Sequence, residues 1–348
     1  MPGDASLPTV LIHQDQPADI VGLRLAVASM RLTCPDLVVR VSCPGATPEL
    51  LRWLSGCGVR ADTDPKFAKL GWNVKPKLLL SALDQGHSRV MWLDSDVVVV
   101  RRPVAALAQP DSVLVAAEEF SLGQEQGSRL RTQGWGLDLG RVRASTVNSG
   151  VLVVSDRHRR LLERWQELLD SDAYVAAQQR PALERPLHMV GDQDVLTALL
   201  GSAEFADTQV HLLRRGLDIA QCAGPAGFTP SERLASLGGR SPALYHSVGV
   251  KPWQHGAAWR FGTTRRSRAR ARYEDLHLRL SPYTVVARRF AHAAGLSLDA
   301  VAPRNRIERA LVRIGNRWPQ LPELPLTVID ISVRRLRRLL RISRYARG

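Results

Sequence analysis

Two short apolar runs, Arg89–Leu93 and Val97–Val100, flank the triplet Asp94-Ser95-Asp96. Runs this rich in Val, Leu, Met and Trp read as buried strands. The triplet then stands at a strand's carboxyl end, where open α/β sheets bind their ligands. Two carboxylates held close repel each other, and a divalent cation removes that cost. Oxygen donors of this kind suit Mg²⁺ or Mn²⁺, and Mg²⁺ completes its shell with phosphate oxygens. Three other Asp-x-Asp triplets, Asp62/Asp64, Asp170/Asp172 and Asp192/Asp194, lack this strand context. The first two are expected at solvated positions.

The surrounding pattern predicts an α/β chain. Thr9–His13, Leu37–Val41, Val113–Ala117, Gly150–Val154 and Ala243–Tyr245 read as strands. Asp19–Leu32, Thr47–Leu54, Lys75–Leu83, Arg157–Leu169 and Gly191–Leu200 read as helices, with Thr47 an N-cap. Strands alternating with helices imply a mostly parallel central sheet flanked by helices. The polar, glycine-rich segment Glu118–Ser145 reads as a long loop, either a lid or a disordered insertion.

The formal charge of +15 is unevenly spread. From residue 260 onward there are 21 arginines, no lysine and six acids, so the tail holds the whole excess. Within it Ile329, Val333, Leu336 and Leu340 form a helical stripe, with Arg334, Arg335, Arg337, Arg338, Arg341 and Arg344 around the rest. An amphipathic helix near 328–345 of this composition suits an anionic membrane surface. Nucleic acid is not an expected partner, because only Tyr345 interleaves with the charge. The chain is accordingly divided into a catalytic domain, 1–260, and an arginine-rich, mostly helical C-terminal extension, 261–348. No apolar run approaches the roughly 20 residues of a membrane span. The opening residues show no basic-then-apolar signal pattern. Cys34, Cys43, Cys57 and Cys222 form no Cys-x-x-Cys pair. The expectation is a cytoplasmic protein with reduced thiols, peripheral at the inner face of the cell membrane.

Three more motifs follow Asp94–Asp96 in order. Asn148-Ser-Gly-Val-Leu-Val-Val opens a strand, and Gly191-Asp192-Gln193-Asp-Val-Leu opens a helix. His246-Ser-Val-Gly249-Val-Lys251-Pro-Trp253 follows a short strand. From about Thr9 to Trp253 this ordered set resembles the family 8 glycosyltransferases, which include glycogenin, bacterial lipooligosaccharide galactosyltransferases and plant glucuronosyltransferases. The resemblance implies a GT-A fold, a UDP-sugar donor and Mn²⁺ (or Mg²⁺). It implies transfer of a hexose or hexuronic acid, with retention, to a glycan or lipid-linked saccharide acceptor in cell-envelope polysaccharide or glycolipid synthesis.

Residue by residue, the resemblance implies that Asp94, Asp96 and His246 are metal ligands. Gly249 and Lys251 become the turn and the cation at the donor diphosphate, and Lys75 reaches donor phosphate or sugar. Asn148 meets the donor sugar, and Asp192 and Gln193 lie beside its anomeric carbon. Asp194 stands where the family usually has a small residue, so it either alters acceptor contacts or faces solvent. The residues alone leave alternatives: Lys75 as a solvated helix start, Asn148 as a backbone partner, Asp192 as a helix N-cap. Two other functions fit the fold class. One is a sugar nucleotidyltransferase, which would want a glycine-rich phosphate loop where residues 13–24 read HQDQPADIVGLR. The other is a catalytically degenerate GT-A domain serving as a membrane-associated binding module. Retention arises either through a carboxylate nucleophile or by front-side attack assisted by the leaving phosphate, and the second is favoured.

Overall fold

The computed structural model describes residues 7–119, 126–224, 227–238, 241–249, 251–254, 265–298 and 302–345. In chain order the elements begin β1 (Thr9–His13), α1 (Ile20–Thr33), β2 (Val39–Ser42), α2 (Pro48–Gly56), β3 (Arg60–Asp62) and α3 (Lys75–Asp84). There follow β4 (Arg89–Leu93), β5 (Val97–Val99), α4 (Val104–Leu107), β6 (Val113–Glu118), α5 (Arg129–Gly134) and β7 (Val147–Ser155). Then come α6 (Arg159–Asp170), α7 (Asp172–Gln178), α8 (Asp192–Leu200), β8 (Gln209–Leu213), β9 (Ile219–Gln221) and α9 (Pro230–Ala235). The last elements are β10 (Leu244–His246), α10 (Arg265–Leu280), α11 (Pro282–Ala291), α12 (Arg306–Arg317) and α13 (Leu324–Tyr345).

Two compact units result. Among the described residues, the first holds the chain to Val97 and again from Arg101 to Arg214; the second holds Val98–Val100 and those from Arg215 onward.

The first unit is built on a seven-stranded sheet of order β3-β2-β1-β4-β7-β6-β8. All neighbours are parallel except β7, which runs antiparallel to both β4 and β6. The mixed α/β class with a mostly parallel central sheet is therefore as the sequence predicts. Strands β1, β4 and β7 are buried along their whole length. A strand covered on both faces needs an unbroken apolar run, which is why these segments lack alternation. Leu78, Leu79, Trp92, Leu152, Leu161, Trp165, Leu196 and Leu199, from α3, β4, β7, α6 and α8, share one core. Each fully buried leucine there contributes about 1.5–3 kcal/mol. Thr47 caps α2, its hydroxyl accepting from the Leu50 N–H at 3.2 Å, with Pro48 at the first helical position.

The Glu118–Ser145 segment departs from the expected loop. Residues 120–125 lie outside the described residues, but beyond them α5 forms and Ser128, Arg131 and Thr132 are buried. Arg131 donates through Nε to Asp194 Oδ1 at 2.8 Å and through Nη1 to the Gly127 carbonyl at 2.9 Å. Thr132 Oγ1 donates to the Ala198 carbonyl at 2.7 Å. The segment reads as polar because its buried groups are polar, and they are satisfied by partners on or before α8.

Where β7 hands over to α6, the Ser155 N–H donates to His158 Nδ1 at 3.0 Å. That bond requires a neutral ring, and burial holds the His158 pKa below its usual value. The unfolded chain therefore takes up the proton first as pH falls, and stability is lost below the unfolded value of about 6.5. Melting temperature is expected to drop between about pH 7 and about pH 5. Thermal melts of His158→Gln across that range should show a shallower fall than the parent.

The second unit carries a three-stranded sheet of order β5-β10-β9, with β9 and β10 parallel. Its interior includes Arg233, which donates to the carbonyls of Phe228 (2.6 Å) and Gln320 (2.8 Å) and pairs with Glu323. Helix α13 spans the stretch expected to be amphipathic, and Ile329, Val333 and Leu336 on it are exposed. The side chains of Arg334 and of residues 337–345 lie outside the described residues. Among the described residues no helix is long and apolar enough to cross a membrane.

Candidate active site

At the carboxyl end of β4 the Asp94 N–H donates to the Gly150 carbonyl of β7 at 2.8 Å, and the Val97 N–H turns back onto the Asp94 carbonyl at 3.0 Å. β7 is irregular at this height: Ala116 of β6 opposes Leu152, whereas Ala117 opposes Asn148. Bulges of this kind re-aim side chains and recur beside active sites. Here the irregularity presents Asn148 and Ser149 beside the Asp94 turn. Trp92, two residues before Asp94 and hence on the same strand face, donates through Nε1 to Asp94 Oδ1 at 2.7 Å. Gln14, just past β1, donates to Ser95 Oγ at 2.8 Å and fixes the middle of the triplet.

Lys75 opens α3 and is 3% exposed. Its Nζ lies 3.3 Å from Asp94 Oδ1 and 3.2 Å from Asp192 Oδ2, and it donates to Ser149 Oγ at 2.7 Å. Ser149 Oγ donates onward to Asp192 Oδ2 at 2.6 Å. Burial pushes the Lys75 ammonium down, but Asp192 and Asp94 together lift it above the ordinary lysine value. Burial likewise raises the Asp192 carboxyl, and Lys75 opposes that rise. Neutralising Lys75 would leave Asp192 buried without a cation, whereas neutralising Asp192 would leave Lys75 paired with Asp94. The solvated-helix-start reading of Lys75 is thereby overturned.

Asp192 is not the N-cap of α8. Gly191 occupies that position, and Asp192 is the first helical residue, its carbonyl accepting from Trp165 Nε1 at 2.9 Å. Asp194 neither faces solvent nor reaches outward. It is buried, accepting from Arg131 and from the Gly191 N–H at 3.1 Å. A carboxylate this close to the helix start meets the positive end of the dipole as well as a guanidinium. Thr197 accepts from the Val147 N–H at 3.1 Å, tying α8 to β7.

Asn148 uses both ends of its amide. Oδ1 accepts from the Gly150 N–H at 2.9 Å, and Nδ2 donates to Glu119 Oε2 at 2.6 Å and to Gln193 Oε1 at 3.1 Å. The backbone alternative for Asn148 is thus correct as far as it goes, and two side-chain partners are added to it. Lys77 pairs with Asp170 at an exposed site, as befits a solvated residue. In the first unit, then, Lys75, Asp94 and Asp192 are brought together, and so are Asn148 and Gln193.

His246, Gly249 and Lys251 belong to the second unit. His246 ends β10 and is buried. Gly249 has φ +88, a left-handed conformation that a side chain would strain, so the turn requires glycine. Lys251 Nζ donates to the Ser247 carbonyl across that turn. The chain runs from Asp96 through Val97 directly into the β5 residues that pair with β10, and Val100 N–H donates to the Ala243 carbonyl at 2.9 Å.

Trp92, Gln14, Ser149, Glu119 and Arg131 escaped sequence reasoning. Ser149 lies inside the Asn148 motif, and Trp92 shares the strand face of Asp94, so period-two reading could have found both. Glu119, Gln14 and Arg131 carry no comparable local signal.

No protein-family model matches the sequence, and no curated protein matches it. Solved structures are similar to it at low identity. One is the apo structure of the bifunctional glycosyltransferase WbbM, at 14% identity over 73% of this chain and 48% of that one, with a TM-score of 0.47. This chain thus spans about half the length of that neighbour. Another is the galactosyltransferase LgtC in complex with donor and acceptor sugar analogs, at 18% identity over 82% and 95%, TM-score 0.48. A third is the glycosyltransferase GlyE of Streptococcus pneumoniae TIGR4, at 15% identity over 83% and 65%, TM-score 0.42.

Proposed function

We propose that this protein is a metal-dependent glycosyltransferase of the family 8, GT-A type. On this reading it moves a hexose or hexuronic acid, with retention, from a UDP-sugar to a glycan or lipid-linked acceptor at a membrane face. The observation that carries the proposal is the buried Lys75, held between a strand-end carboxylate, Asp94, and a helix-start carboxylate, Asp192. Asp94, Asp96 and His246 are the proposed metal ligands. Two carboxylate oxygens and one imidazole nitrogen form a donor set that Mn²⁺ tolerates better than Mg²⁺ does. A divalent ion bound there would supply positive charge to a departing diphosphate.

The chain's own groups divide the remaining work. Lys75 holds Asp94 and Asp192 in register, and Trp92 fixes one Asp94 oxygen. Asn148 Oδ1, which keeps one lone pair, and Gln193 Nε2 are the amide groups offered to sugar hydroxyls. Gly249 and Lys251 form a turn and cation suited to phosphate oxygens, fixed charges of the kind that stabilise a leaving anion. Asp192 is engaged by Lys75 and Ser149, and Asp194 by Arg131 and Gly191. A nucleophile would first have to give up those partners, which favours front-side attack over a covalent intermediate. The division at residues 1–260 and 261–348, the role of 328–345 at an anionic membrane and the cytoplasmic placement belong to the same proposal.

The test is UDP release from a panel of nucleotide sugars without acceptor, in Mn²⁺ and again in EDTA. Metal-dependent release from one UDP-sugar is the expected result. Absence of UDP binding in Mn²⁺ would sink the proposal.

A further inference from the structure

Helix α12 turns its polar and small residues inward and its isoleucines outward. Its buried positions are Glu308, 4% exposed, and Gly315. Glu308 accepts from Arg279 Nε at 2.9 Å and Nη2 at 3.2 Å, and from the Arg304 N–H at 2.8 Å. Asn305 caps the helix by accepting from the Glu308 N–H at 2.9 Å. Gly315 allows close approach: a Cβ there would stand 2.6 Å from Pro322 Cγ and 3.0 Å from Val285 Cγ1. The helix is thus anchored in the second unit by an ion pair and a glycine contact.

The outer face is the unusual part. Ile307 is 74% exposed, Ile314 43% and Trp318 38%. Their spacing of seven and then four places them in one stripe. Arg306, Arg309, Arg313 and Arg317 are exposed along the adjoining stripe, and the Arg317 guanidinium sits 4.7 Å over the Trp318 ring. The only acid of α12 is Glu308, which points inward and is neutralised by Arg279. A helix that merely covered a core would bury isoleucine and expose glutamate.

We infer that the outer face of α12 docks on an anionic lipid bilayer. Ile307, Ile314 and Trp318 enter the boundary between headgroups and acyl chains, and the four arginines meet anionic headgroups while their stems lie along the apolar stripe. Nucleic acid would satisfy the arginines but offers the isoleucines nothing to bury in. The surface lies wholly within the second unit and precedes the tail helix, so it stands independently of the chemistry proposed for the first unit.

Flotation of the full chain with phosphatidylcholine vesicles, and with mixed phosphatidylcholine–phosphatidylglycerol vesicles, tests the inference. Binding to the mixed vesicles alone is expected. Arg306→Ser, Arg309→Ser and Arg313→Ser combined should weaken it about 100-fold, at the usual contribution of an arginine near a charged surface. Ile307→Asp with Ile314→Asp should weaken it at least comparably without lowering the melting temperature, since both side chains are exposed. Should that pair fail to fold, the arginine variant decides. Parental binding by a folded variant, equal binding to neutral vesicles, or equally tight binding to double-stranded DNA or polyglutamate would each overturn the inference.

Discussion

Lys75→Met is expected to destabilise the first unit by about 3–5 kcal/mol, read as a lowered urea midpoint. The substitution keeps most of the volume and removes only the charge. Asp192 then stays buried with Ser149 as a hydroxyl donor and without its ammonium partner, and Asp94 keeps Trp92 but loses a cation. The cost is that of an unpaired buried charge, so a compensating change should recover part of it. Lys75→Met combined with Asp192→Asn should therefore be less destabilised than the sum of the two single variants, with a coupling of about 1–3 kcal/mol. Strict additivity would mean that Lys75 and Asp192 do not act as a pair. UDP release should fall in Lys75→Met even under conditions where the variant remains folded, because Asp94 loses the partner that orients it.

The second large effect is at Asp96. Asp96→Asn is expected to reduce metal-dependent UDP release by about three orders of magnitude, roughly 4 kcal/mol of barrier. It should also weaken Mn²⁺ binding as read by electron paramagnetic resonance. Stability should change less than in Lys75→Met, because Asp96 is only half-buried. Asp94 is a poorer probe of the same idea: its carboxylate also receives Trp92 and Lys75, so its removal mixes folding with chemistry. Undiminished Mn²⁺ affinity in Asp96→Asn would remove Asp96 from the ligand set. Together the two variants separate a group that holds the site in shape from one that the proposed function assigns to the metal.

Much of the site was legible because its signals are local. A buried parallel strand must be continuously apolar, so the run before Asp94 declares itself, and the triplet marks where it ends. Capping chemistry is equally local, and Thr47 before Pro48 is read without any structure. Asn148 and His246 are found at strand boundaries for the same reason, although β7 begins three residues before the expected start and β10 is shifted one residue toward His246. Local reading failed at Glu118–Ser145. The pattern treats a polar segment as solvent-facing, and that holds only when the polar groups lack partners elsewhere in the fold.

The strand and helix succession, the placement of Asp94 and Asp96 at a strand end and the concentration of charge after residue 260 can all be read from the chain. Each follows from periodicity, propensity or composition within a few neighbouring residues. The fold itself buries Lys75 between Asp94 and Asp192, pairs Asp194 with Arg131 and turns Glu308 of α12 inward while Ile307 points out. In each case a charge is placed where its partner lies 19 or more residues away in the chain. The free energy of burying that charge depends on the partner, and no local pattern encodes it.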